Sequence, residues 1–337
     1  MLPNRRQAAA SLLAAGTAAL PLSRAVAAPL AAAPAVGEAP APGDEIPTRI
    51  DTGHDNFEHM MGPVSINGQG PFQFLIDTGA NVSCVSRDLA QRLMLAELPP
   101  ARVHTIVGVR ERPGVLIDHL QVGERKRRSV RAASLPLTDG LDGVLGIDWL
   151  TGQRLELGFK AKSLAITRSR EDISREGSAV VPARRRLGQL TIVDADVSGK
   201  RINAIIDSGS QMTICNTALR ELVAASDRRH GRVGPYQRLK METLIGEQFW
   251  GELLYVPFMR LGGLHLGNVP VVYSDMHVFD IWDLKNKPSV VLGMDLLTQF
   301  DSVAMDFGRS QVRFDVAEPA LPPARPFRSA AISSPDA

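Results

Sequence analysis

The chain has little with which to staple itself or to grip a polyanion. Two cysteines, Cys84 and Cys215, in 337 residues exclude a disulfide scaffold, and no Cys/His spacing has the form of a zinc site. Each cysteine lies in an apolar stretch, so buried free thiols are expected. An excess of one charge is also missing: the formal net charge is +2, too small to argue for nucleic acid. Two basic clusters, residues 123–131 and 183–188, carry no interleaved aromatics in a chain that is 5% aromatic. They are read as solvated loop or linker charge. The apolar stretch over residues 8–20 is too short to span a membrane comfortably.

That stretch fits an export signal. Arg5-Arg6 make a basic start, the uncharged stretch follows, and small residues stand at Ala25-Val26-Ala27. Residues 1–28 are expected to direct the chain to a bacterial periplasm, with cleavage near Ala27 or Ala28. The paired arginines resemble a twin-arginine signal, and the general secretory route is open as well. A membrane tether is expected only if this segment is retained. Residues 29–54 then read as an Ala/Pro-rich tether.

What the chain does have is a duplication. "FLIDTGA" at 74–80 and "AIIDSGS" at 204–210 share an apolar strand running into Asp-(Thr/Ser)-Gly, with Asp77 and Asp207 130 positions apart. A second matched pair follows each of these, "LDGVLGIDWL" at 141–150 and "PSVVLGMDLL" at 288–297. Two β-rich lobes are therefore expected, over 55–168 and 187–316, joined by a polar linker at 169–186 and followed by a flexible tail at 317–337.

Within the lobes, Asn67-Gly68 and Ser198-Gly199-Lys200 signal hairpins, and residues 87–94 and 216–225 have helical spacing. Residues 101–123 read as a long hairpin bending near Gly108. The second lobe is longer between its matched motifs, with the extra chain assigned to loops at 228–237 and 277–288.

Two acids of one residue type supply both halves of an amide hydrolysis. Brought about 3 Å apart, two carboxyls cannot both ionise, so one stays a base and the other an acid. Equivalent residues of a duplicated unit meet when the copies pack about a two-fold axis. Gly79 and Gly209 permit the tight turn, and the hydroxyls of Thr78 and Ser208 are placed to bridge the two loops. Gly146 and Gly293 allow an apolar strand to pass close beneath each turn. The one asymmetry is Ala80 against Ser210. A Ser210 hydroxyl donating to Asp207 would leave the shared proton on Asp77.

With these residues the chain resembles the pepsin/retropepsin clan of aspartic proteases, and within it exported bacterial retropepsin-like proteases with two domains in one chain. The resemblance covers roughly residues 57–316. It implies an all-β fold of two pseudo-symmetric lobes with short helices and a cleft between them. Asp77 and Asp207 are implied as the catalytic dyad of an endopeptidase acting on extended polypeptides. Substrate flaps are assigned to Ile106, Val107 and Gly108 in the first lobe and to Ile245 and Gly246 in the second. A protein or peptide substrate is the expected partner. No cofactor, metal or nucleic acid is expected, and a monomer suffices because one chain carries both acids. The competing reading is an inactive exported peptide-binding or scaffolding protein with the same fold.

The remaining acidic motifs receive plainer readings. Asp51-Thr52-Gly53, a third copy of the tripeptide, lacks the apolar frame and is read as a surface loop. Residues 54–59 ("HDNFEH") are read as solvated rather than metal-binding, and "NGQGPF" opens a strand, which excludes a nucleotide loop. Asp148 and Asp295 are read as caps of the short helices they begin.

Overall fold

The computed structural model describes residues 48–54, 59–105, 108–138, 140–150, 152–174, 176–186, 189–231 and 236–316. The segments expected to be an export signal and a tail, and most of the expected tether, lie outside these.

Strands dominate, and the duplication is visible strand for strand. In the first lobe Gln69–Ile76 runs parallel to Gly143–Leu145, with Ile76 opposite Leu145. Cys84–Ser86 joins Gly143–Leu145 antiparallel and Arg125–Leu135 parallel. The second lobe repeats this with Lys200–Ile206 parallel to Ser289–Leu292, Ile206 opposite Leu292, and with Ile214–Cys215 between Ser289–Leu292 and Leu264–Tyr273. Each lobe closes in the same way: Met60–Ile66 pairs with Gly108–Val122, and Gln189–Val197 pairs with Gln248–Leu261. The hairpins at Asn67-Gly68 and Ser198-Gly199 have left-handed backbone at both turn residues, with φ of 51° and 79° in the first and 51° and 76° in the second. That geometry matches the twist of the flanking strands.

Apolar packing anchors these strands. Phe74 is fully buried, and a Cβ on Gly143 would lie 2.3 Å from its ring. The two strands can therefore approach only because residue 143 is glycine. The helices Arg87–Arg92 and Thr217–Arg229 follow equivalent strands, capped by Ser86 Oγ accepting from Leu89 N and Asn216 Oδ1 accepting from Leu219 N.

Beneath both lobes lies a shared base of six strands in the order Thr48–Asp51, Ser163–Arg168, Gln153–Gly158, Ser302–Asp306, Gln311–Asp315 and Ser178–Arg186. This layer corrects several expectations. Half of the assigned linker, Ser178–Arg186, is a strand, with Val181 fully buried opposite Val312. Its charged flanks hide an apolar pair that two distant strands cover. Thr48–Asp51, assigned to the tether, pairs with Ser163–Arg168. The tripeptide at 51–53 therefore joins two strands, with Thr52 buried, rather than forming a free surface loop.

Ion pairs stitch this base together. Arg154, 1% exposed, donates to Asp172 Oδ2 at 2.9 Å and Glu156 Oε2 at 2.7 Å. Arg313 donates to the same two acids at 3.0 and 3.2 Å. Asp306, fully buried, accepts from Ser169 Oγ and Arg170 N. The polar segment after residue 168 is thus pinned between residues of both halves.

The basic cluster at 123–131 is also not a solvated loop. It lies largely on Arg125–Leu135, where the two-residue period of a strand turns Arg125 and Arg127 inward. Arg127 sits 5.1 Å above the Trp149 ring and donates to the carbonyls of Asp148 and Trp149. Residues 277–281, assigned to extra loop, form the helix His277–Ile281 around fully buried Phe279.

Candidate active site

The two repeated strands end at one place. Asp77 N donates to Leu145 O at 3.0 Å and Asp207 N to Leu292 O at 3.1 Å, so each acid leaves its sheet held by the parallel neighbour. Each chain then turns back on its own carboxylate. Gly79 N and Ala80 N donate to Asp77 Oδ1 at 2.7 and 3.0 Å, and Gly209 N donates to Asp207 Oδ1 at 2.9 Å.

Thr78 and Ser208 lock the loops to one another. The Thr78 hydroxyl donates to Ile206 O at 3.0 Å and accepts from Ser208 N at 3.0 Å; the Ser208 hydroxyl donates to Ile76 O at 2.7 Å and accepts from Thr78 N at 3.1 Å. Both side chains are buried. Four bonds thus cross the pseudo-two-fold axis, as the expected bridging role requires.

The glycines cross the axis as well. A Cβ on Gly79 would fall 2.4 Å from the Asp207 carboxyl carbon, and one on Gly209 would fall 2.3 Å from that of Asp77. Each carboxyl therefore rests on the glycine of the other loop, and a hydrogen bond joins the two carboxyls. Gly146 and Gly293 lie under the turns, where a Cβ would meet Ala80 O at 2.7 Å and Met212 C and O at 2.4 Å.

Burial raises Asp77 above its ordinary range, opposed by the hydrogen bond from Asp207 and by the Gly79 and Ala80 N–H groups. Burial raises Asp207 much further, and the Asp77 charge and hydrogen bond add to it. The hydrogen bond expected from Ser210 to Asp207 is not made: the Ser210 hydroxyl donates to Met212 O at 2.8 Å instead.

Two hydroxyls missed in the sequence support the turns. Ser83 Oγ accepts from Gly146 N at 3.1 Å and donates to Asp148 Oδ1 at 2.8 Å; Thr213 Oγ1 accepts from Gly293 N at 3.1 Å and donates to Asp295 Oδ1 at 2.7 Å. Asp148 and Asp295 are therefore anchors of these relays more than helix caps. Both hydroxyls stand six residues after their Asp, a repeat visible in the sequence had hydroxyls been aligned across the halves.

Over this floor the lobes extend hairpins. Ile106 and Val107 lie outside the described residues. Gly108 pairs with Thr105 in the first hairpin. In the second, Gly246 turns with φ of 79°, and Ile245 packs with Leu244 on an apolar cluster holding Leu135, Leu141 and Val144. Thr138 N donates to Leu244 O at 3.0 Å. Arg110 reaches Glu247 Oε1 through Nε and Nη2, both at 2.9 Å. The rings of His104 and His277 stack at 6.0 Å.

Neither thiol is poised as a nucleophile. Cys84 and Cys215 are free and buried, and burial pushes both thiols up to about 12. His59, read as part of a solvated run, is 6% exposed. Residues 55–58 lie outside the described residues. Among the described residues, no group of three or more His, Cys, Asp or Glu is placed to hold a metal ion.

Comparison with known families agrees with this geometry. Residues 62–152 match a family described as gag-polyprotein putative aspartyl protease, and residues 193–296 match one described as aspartyl protease. No curated protein matches the chain. Each match spans one Asp-(Thr/Ser)-Gly turn and its later Leu-Gly strand, so the chain belongs to the retropepsin-like aspartyl proteases, with two such domains in one polypeptide.

Proposed function

We propose that the protein is an aspartic endopeptidase that hydrolyses extended polypeptides, with Asp77 and Asp207 as its catalytic pair. The observation that carries this reading is the crossed seat of the two carboxyls, each on the other loop's glycine and hydrogen-bonded to its partner.

The reading gives the shared proton to Asp207, the acid that burial and the Asp77 charge raise further. Ionised Asp77 takes a proton from a water molecule as its oxygen attacks the scissile carbonyl carbon, while Asp207 gives its proton to the carbonyl oxygen. The resulting diol collapses when Asp77 passes its proton to the amide nitrogen and Asp207 recovers one from a diol hydroxyl. The C–N bond breaks, acid and amine leave, and the pair is restored. The hairpins around Gly108 and Ile245-Gly246 act as flaps over an extended substrate.

The reading includes export through residues 1–28, so the substrate is met outside the cytoplasm. Fractionation of cells expressing the full chain, with the mature N-terminus sequenced, checks that part. The central test incubates protein lacking residues 1–28 with a diverse peptide mixture across acid and neutral pH, read by mass spectrometry. Asp77→Asn and Asp207→Asn should each lower cleavage by about 10²–10⁴-fold. Folded wild type that binds peptides and cleaves none would make the chain a binding module and overturn the proposal.

A further inference from the structure

Each lobe reaches toward the other with one hairpin. Asp77 N continues the pairing of Gln69–Ile76 with Gly143–Leu145, so the two-residue period of the strand puts Leu75 on the same side as the Asp77 side chain. Leu75 belongs, with Leu135 and Val144, to the apolar cluster on which Leu244 and Ile245 of the second lobe pack. The second hairpin therefore lies on the carboxyl side of the first lobe. Thr138 N and Thr138 Oγ1 both donate to Leu244 O, at 3.0 and 3.1 Å, and hold it there. The first hairpin crosses the other way, with His104 stacked on His277.

Arg110 and Glu247 join hairpin to hairpin. Arg110 stands two residues after Gly108 and Glu247 directly follows Gly246, so each charge sits beside its own turn. Nε and Nη2 of Arg110 both meet Glu247 Oε1 at 2.9 Å. The turn backbone presents Glu247 for this contact: its N–H donates to Thr243 Oγ1 at 3.0 Å, and its carbonyl accepts from Thr243 N at 2.9 Å. Other charges keep to their own hairpin, with Arg102 opposite Glu111 in the first and Glu242 accepting from Gln248 Nε2 at 3.1 Å in the second. The Arg110 side chain is 43% exposed and that of Glu247 22%. A pair so placed is screened by salt and is weak enough to break and remake.

We propose that Arg110 and Glu247 are positioning residues whose ion pair latches the two hairpins to one another on the carboxyl side of the lobes, opening and reclosing for each substrate. The latch acts on retention of the peptide, while the bond-breaking step stays with the carboxyls.

The inference rests on the catalytic reading of the cleft, so its first test does not use activity. In an Asp77→Asn background, spin labels on Arg102→Cys and Lys240→Cys report the distance between the hairpins; Cys84 and Cys215 are buried, with thiols pushed up to about 12, and stay unlabelled. The distance distribution should be narrow at low ionic strength and broaden in about 1 M salt, where charges are screened beyond ~3 Å. Arg110→Glu should broaden it at low salt, and adding Glu247→Arg should narrow it again. A distribution that Arg110→Glu leaves unchanged, or that the exchanged pair does not narrow, overturns the proposal. The second test is kinetic. Arg110→Glu should raise KM for a cleaved peptide by about three- to tenfold, with kcat within about twofold of wild type, and the exchanged pair should return KM to within about twofold. A loss confined to kcat would overturn the latch. If the protein cleaves nothing, the distances still decide whether the pair closes the hairpins, so the two readings fail separately.

Discussion

Replacing Thr78 by valine tests the crossing bonds where they are most concentrated. Thr78 is 1% exposed and Ser208 is fully buried, so water does not substitute for a lost partner. Valine keeps the shape of threonine but removes the oxygen that donates to Ile206 O and accepts from Ser208 N. Each buried group deprived of its partner costs about 1–3 kcal/mol, so Thr78→Val should destabilise the fold by about 2–5 kcal/mol. That is a large share of the roughly 5–15 kcal/mol by which a domain is stable. Thr78→Ser keeps the oxygen and serves as the control. Urea unfolding followed by tryptophan fluorescence, in an Asp77→Asn background to prevent self-digestion, measures both. A Thr78→Val midpoint within about 1 kcal/mol of Thr78→Ser would refute the reasoning, because the hydroxyl would then contribute only its ordinary surface value. With Asp77 intact, Thr78→Val should also cut kcat/KM by about 10²-fold as the carboxyls lose their registration.

Three further outcomes follow from the same geometry. Gly79→Ala and Gly209→Ala should each reduce kcat/KM by at least about 10²-fold, measured on a cleaved peptide, because the added methyl displaces the opposite carboxyl. Asp172→Ala removes one of the two acids shared by Arg154 and Arg313, leaving Glu156 to both, and should destabilise the base by about 1–3 kcal/mol in urea, with the specific activity of the folded fraction unchanged. The Asp207 carboxyl binds its proton more tightly folded than unfolded, so its contribution to stability is complete below the unfolded value of 3.8 and is lost as pH rises through the raised folded value. Thermal melting from acid to neutral pH should therefore show wild type losing stability relative to Asp207→Asn, and parallel curves would contradict the assignment.

The amino-acid sequence by itself determined the duplicated β architecture and the two acids at its centre. An Asp-(Thr/Ser)-Gly turn in an apolar frame and a later Leu-Gly strand are local patterns, and each is complete within a dozen residues. The hairpins at Asn67-Gly68 and Ser198-Gly199 were legible for the same reason, since left-handed backbone selects its own residues. Only the tertiary structure decided what depends on distant partners. Ser178–Arg186 looks like a charged linker until Gln311–Asp315 and Gln189–Val197 pair with its two sides. Only folding delivers the Ser210 hydroxyl to Met212 O rather than to Asp207. His59 sits in a polar run yet is 6% exposed, because the burial of a residue depends on which distant strands the fold brings over it.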